Sequence, residues 1–156
     1  MFKDILVPLD GSELSERALP IAQNLAQSCD ATIHLIHVIS RENEYWAAHG
    51  ADSVLVAELE LSTVRLLNEE RLDRGKKYVD QVGSQLSGAG AKVESPYAIE
   101  EGDAAQNIVK YVKEHGINLV VMSTHGHGGI RRLLLGSVTD RVIRSCEVPV
   151  LAVPPS

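Results

Sequence analysis

The sequence predicts an α/β fold, a mainly parallel sheet covered by helices on both faces. Two observations carry this. Five short apolar runs alternate with helical patterns in the order β-α-β-α-β-α-β-α-β, and such alternation implies parallel strands joined by right-handed crossovers. The first and fourth runs also lack polar alternation, as strands covered on both faces do. The length of 156 residues fits one domain, expected over residues 1–156.

The first strand is Ile5-Leu6-Val7-Pro8-Leu9. A helix follows, with Ser12 as its N-cap. Leu14, Ala18, Ile21, Ala22, Leu25 and Ala26 fall on one face of it. Pro20 lies inside this pattern, where it removes a backbone bond and kinks the helix. The second strand is Thr32 to Ile39. Residues Ser40 to Ser53, with Tyr45, Trp46 and His49, are irregular and read as a surface loop or a cover. A long charged helix is expected from about Val54 to Leu86, with Leu72, Val79, Val82 and Leu86 on one stripe and Gly75 weakening its middle. The third strand, weaker, lies within Ala91 to Ile99. Asp103 caps the next helix, and Gly116 suits the left-handed position after its end. The fourth strand is Leu119 to Met122. The last helix opens near Ser137, and Val148 to Val153 is the fifth strand.

Composition bounds the function. Apolar residues make up 44% of the chain and charged residues 23%, an ordinary globular balance that argues against disorder. The formal net charge of -6 argues against nucleic acid as a partner, because neutralising phosphates needs a basic excess. Cys29 and Cys146 form neither a disulfide framework nor a zinc motif, and they read as free thiols in a reducing compartment. The start lacks the apolar stretch of a secretory signal, and no segment is long enough to span a bilayer. The expected location is cytoplasmic, with no membrane partner.

In an open parallel sheet, ligands bind beyond the carboxyl ends of the strands, where strand order reverses. Two segments stand there. Asp10-Gly11-Ser12 follows the first strand. Its carboxylate can meet a ribose or a metal, and it can equally shape the turn and cap the helix. After the fourth strand comes Ser123-Thr124-His125-Gly126-His127-Gly128-Gly129, then Gly136-Ser137-Val138-Thr139-Asp140. The small residues let backbone N–H groups approach a ligand. Ser137 and Asp140 match the S/T-x-x-D/E capping pattern, and a helix start attracts phosphate. Arg131 and Arg132 add positive charge nearby. Together these features point to a phosphate site. It is neither a P-loop nor a dinucleotide fingerprint, because the glycine spacings differ. His125 and His127 lack the further ligands of a metal site, so no metal ligand is assigned. A Ser-His-Asp hydrolase from Ser123 or Ser137, His125 and Asp10 lacks the G-x-S-x-G elbow. His34 and His37, within a strand, read as packed or edge residues. No catalytic residue is assigned.

The block Val121 to Arg144, the opening Ile5-Leu6-Val7-Pro8-Leu9-Asp10-Gly11-Ser12-Glu13 and the ending Cys146 to Pro154 resemble the universal stress protein family. The resemblance covers essentially the whole chain and is weakest from Ser40 to about Lys92. It implies a three-layer α/β/α domain of the adenine nucleotide alpha hydrolase-like type, with a five-stranded parallel sheet of order 3-2-1-4-5. ATP-binding members carry G-x-x-G-x9-G-S/T. Here Gly126 and Gly136-Ser137 match, while Ser123 replaces the first glycine. The implied ligand is an adenine nucleotide, ATP, ADP or AMP, with Mg2+ or Mn2+ on its phosphates. Pro8, Leu9 and Asp10 would border adenine and ribose, with Val38 against the base. Met122 and Ser123 would lie beside the nucleoside. Gly126, His127, Gly136, Ser137, Val138 and Thr139 would hold the phosphates. The resemblance also implies a homodimer paired through Val148 to Val153 and a regulatory, stress-response role. The alternatives are a slow ATPase or nucleotide hydrolase at the same pocket, with His125 as base, and an interaction protein that has lost the nucleotide.

Overall fold

Ile5, Leu6 and Val7 have no exposed surface, and successive strand residues point to opposite faces, so both sides of this strand must be covered. The computed structural model describes residues 1–39, 54–94, 98–124 and 135–154, with backbone alone for 54–60 and 98–101. The elements in chain order are β1 (Asp4–Leu9), α1 (Glu13–Glu16), α2 (Ala18–Cys29), β2 (Thr32–Ile39), α3 (Val54–Gly88), β3 (Lys92–Val93), β4 (Ala98–Glu101), α4 (Ala104–Glu114), β5 (Leu119–Ser123), α5 (Ser137–Ser145) and β6 (Val150–Val153).

All strand pairs are parallel, in the order β3-β2-β1-β5-β6, with β4 also on β2. β3 and β4 run along the same strand and together make the expected third strand, so the order is the expected 3-2-1-4-5. Their register differs by two residues, from Thr32 opposite Lys92 to Ile36 opposite Ala98. The fifth strand starts at Val150 rather than Val148. Pro149 has no N–H to give, but its carbonyl accepts from Val120 N at 3.0 Å and leads the strand in.

One apolar layer joins Ile5, Val7, Ile33, Leu35 and Val121 to Ala18, Ala22 and Ala26 of α2 and Val79, Val82 and Leu86 of α3. The other joins Leu6, Ile36, Val120 and Met122 to Ala105, Ile108 and Val112 of α4 and Val142 of α5. Each fully buried Ile, Leu or Val contributes about 1.5–3 kcal/mol, so the two layers dominate stability. The alanine stripe of α2 lets that helix lie close to the sheet. Ile21, expected on the same face, is instead exposed.

Pro20 acts as expected, but upstream of itself. Its ring opposes the carbonyl four residues earlier, and the helix divides at Arg17, between Glu16 and Ala18. Ser12 caps α1, its hydroxyl accepting from Ser15 N. Asp103 caps α4, accepting from Gln106 N, and also pairs with Arg141 of α5 at 2.7 Å. Gly116 adopts φ 64°, the left-handed position after α4.

His34 is buried, its ring between Tyr111 Oη at 3.3 Å and Asp4 Oδ1 at 3.2 Å, as expected of a packed histidine. No helix among the described residues is long and apolar enough to cross a membrane. Cys29 and Cys146 are free and half-buried, and burial pushes the Cys146 thiol up.

Gly75 is where the long helix meets the end of β2. A Cβ there would stand 2.8 Å from Ile39 Cδ1 and 3.0 Å from the His37 ring. Helix propensity alone favours alanine by about 1 kcal/mol, but overpacking a fixed neighbour costs about 1–3 kcal/mol. Gly75→Ala should therefore lower the denaturant midpoint. In an Ile39→Val, His37→Ala background, where the Ile39 Cδ1 methyl and the His37 ring are both gone, the same change should raise it. A stabilised single variant would show that the neighbours yield freely.

The hydrogen bond from Arg141, then that from Gln106 N, hold the Asp103 carboxyl below its ordinary value. A depressed carboxylate contributes stability above the unfolded-state pKa and loses it as pH falls through the folded-state value. Asp103→Asn keeps the cap and removes the charge. The gap in Tm between wild type and Asp103→Asn should be widest near neutrality and close in acid. A gap independent of pH would remove the ion pair as its cause.

Candidate nucleotide site

The chain leaves β1 toward β2 on one side and leaves β5 toward β6 on the other. The two crossovers part between β1 and β5, which opens a crevice at their carboxyl ends. Asp10 follows β1 at one wall, and Thr124 follows β5 at the other.

The Asp10 turn is tightly built. Asp10 Oδ1 accepts from Ser12 N at 2.9 Å and from the Ser12 hydroxyl. Ser15 Oγ accepts from Asp10 N at 3.3 Å and donates to Ser12 O at 2.8 Å. Gly11 holds φ 80°, a conformation that L side chains rarely adopt. Of the two roles open to Asp10, turn-shaping is thus realised. Asp10 itself is half-buried.

Across the crevice, the chain departs after Thr124 and returns at Gly136. The two points are joined, because Gly136 N donates to Thr124 O at 2.7 Å. Thr124 N donates to Val153 O at 2.9 Å, and Thr139 Oγ1 donates to Ser123 O at 2.9 Å. Ser123 and Thr139 are buried. The first turn of α5 is therefore fastened to the ends of β5 and β6.

The capping box expected of Ser137 and Asp140 does not form. Gly136 is the N-cap, no side chain caps the helix, and Ser137 is its exposed first residue. Asp140 N bonds to Gly136 O, while the Asp140 carboxylate accepts from Arg144 Nε at 2.9 and 3.0 Å. Because Gly136 returns to Thr124, the cap falls one residue earlier than the sequence pattern placed it. The start of α5 carries the positive end of the helix dipole without a side-chain cap.

The remaining expected residues divide by face. Met122 is buried in the layer under α4 and α5, with Val38 and Val138 packed on it. Pro8 is half-buried, and Leu9 is buried in the opposite layer. Pro8, Asp10, Val38, Met122, Ser123, Gly136 and Thr139 thus lie at or beside one end of the sheet. Gly126, His127, His125, Arg131 and Arg132 lie outside the described residues, as does the Ser40 to Ser53 segment. Among the described residues no three His, Cys, Asp or Glu side chains converge on a metal position.

Sequence reading missed His37, Gly75 and Tyr78. His37 Nδ1–H donates to Leu9 O at 2.9 Å, just before Asp10. The Tyr78 ring meets the His37 ring edge to face, with centroids 5.5 Å apart. Gly75 makes room for the His37 ring. The glycine within a helical pattern, which costs helix propensity, is the available signal.

Residues 1–154 match the family model described as the universal stress protein family. Universal stress protein YxiE of Bacillus subtilis is 32% identical over 153 residues, covering 98% of this chain and 99% of that one. The solved structure of MJ0577, a universal stress protein of Methanocaldococcus jannaschii, is 31% identical, with a TM-score of 0.77 over 100% of this chain and 98% of that one. Two more distant structures hold nucleotides. A universal stress protein in complex with cAMP is 22% identical, with a TM-score of 0.66 over 99% of each chain. An Arabidopsis thaliana family protein with AMP bound is 17% identical, with a TM-score of 0.61 over 99% of this chain and 92% of that one. With this sheet order, this crevice and a match along nearly its whole length, the chain belongs to the universal stress protein family.

Proposed function

We propose that this chain is a nucleotide-binding regulatory module that holds an adenine nucleotide, ATP, ADP or AMP, at the carboxyl ends of β1 and β5 and serves a stress response in the cytoplasm. The observation that carries this reading is the start of α5. A helix whose N-cap is glycine, without a side-chain cap, is stitched to Thr124 and Ser123 beside the crevice. Free N–H groups and a positive dipole end there suit phosphate. Asp10 on the facing wall suits ribose hydroxyls, and Pro8 and Val38, on neighbouring strands, suit the adenine ring. The family's cAMP and AMP complexes support an adenine ligand. Gly126 and His127 would complete the phosphate cradle, and Mg2+ or Mn2+ would arrive with the phosphates. Residues 1–156 would act as one domain.

Calorimetric titration with ATP, AMP, cAMP and GTP, with and without magnesium, tests this directly. Adenine-selective binding is expected, and Gly136→Val should weaken it at least tenfold. Gly136 has φ -57° and ψ 147°, which valine adopts readily, so the fold should survive and the loss should report on the cradle. Heat from none of the four nucleotides would overturn the proposal.

The chain would work as a homodimer paired along β6. This strand pairs with β5 alone among the described strands, and Leu151 on it is 39% exposed. An open apolar edge is a template for a second chain. Light scattering should give a dimer mass for the wild type and a monomer mass for Leu151→Lys. An unchanged dimer in the variant would place the contact elsewhere.

A further inference from the structure

One polar atom beside the Asp10 turn lacks a role in the site as described. Tyr78 stands on α3, and its hydroxyl oxygen is sealed from solvent. Among the described residues it has no hydrogen-bond partner at bonding geometry. Leaving such an atom unpaired is costly, and native structures seldom do so without a reason. Its ring is not free to leave, because it packs edge to face on His37, and His37 is fixed to Leu9 O. Around the oxygen stand Glu16, Ser15 and Asp10. Burial, then Glu16, push the phenol well above its ordinary value, so it stays a neutral O–H donor. A donor is thus held beside Glu16 and Asp10.

The same turn is linked internally. Ser15 Oγ accepts from Asp10 N and donates to Ser12 O, while Ser12 holds the Asp10 carboxylate. Asp10, Ser12 and Ser15 are thus tied together, and the Glu16 backbone N–H is tied to Ser12 O in the same turn. We infer that Tyr78 is a positioning residue for Asp10, its buried hydroxyl closing onto the Asp10–Glu16 face when the vicinal hydroxyls of a bound ribose engage that carboxylate. This rests on the nucleotide reading above. It adds that the long helix α3 senses whether the ribose is occupied, through a group that never touches the ligand.

The test uses the full chain, ATP and 2′,3′-dideoxy-ATP, with wild type, Tyr78→Phe, Asp10→Asn and the double variant. Phenylalanine keeps the ring on His37, so the variant should fold. Tyr78→Phe should weaken ATP binding roughly tenfold, the scale of one hydrogen bond to a charged group. It should leave dideoxy-ATP binding unchanged and add nothing to Asp10→Asn. The Tm of the free protein should not fall, since the hydroxyl gains its partner only with ligand. A merely structural tyrosine would do the reverse, lowering Tm and sparing the ribose dependence, and that result would overturn the inference. Equal losses on ATP and dideoxy-ATP, or an undiminished loss in the Asp10→Asn background, would overturn it too. Wild-type binding of ATP with no effect of Tyr78→Phe sinks this inference alone, whereas a wild type that binds neither nucleotide sinks the nucleotide reading and this inference with it.

Discussion

A strand with no face on water dictates the rest of this molecule. Ile5, Leu6 and Val7 lie between two helical layers, and parallel strands cannot be joined by tight turns. Each connection must therefore cross over the sheet, and each crossover supplies part of a covering layer. The strands can pass to both sides of β1 only if the direction of winding reverses once. That reversal lies between β1 and β5, so the crevice is a consequence of covering β1 rather than an addition to the fold.

The walls of the crevice are held by different devices. On the β1 side, side chains do the work: Ser12 and Ser15 tie the Asp10 turn together, and glycine supplies the positive φ. On the β5 side, the backbone does most of it, through Gly136 to Thr124 and Thr124 to Val153, with the Thr139 hydroxyl on Ser123 O. Ser123 is buried, and its carbonyl is the anchor for α5. Replacing a glycine with serine here leaves that anchor intact.

Support for the site reaches further than its own loops. Gly75 lets the His37 ring fit between β2 and α3, and His37 in turn fixes the carbonyl that precedes Asp10. Tyr78 rests on the same ring. The long helix α3 thereby bears on the Asp10 turn. Mutations on α3 are for this reason expected to reach the site without touching it.

By itself the sequence determined the layered α/β fold, the order of elements, the helix caps at Ser12 and Asp103 and the left-handed Gly116. These follow from local rules: apolar periodicity, short polar side chains at helix starts, and glycine where φ is positive. The break that Pro20 imposes is also local, since proline always opposes the carbonyl four residues back. Pattern alone placed the last helix cap at Ser137, and the tertiary structure moved it to Gly136, because the return bond to Thr124 sets where the helix can begin. Likewise β3 and β4, the two pieces of the third strand, pair with β2 in registers two residues apart, which no local pattern announces. The roles of His37, Gly75 and Tyr78 were decided only in three dimensions. Their residues are distant along the chain, and nothing in a single sequence says which side of a long helix will meet the end of a strand.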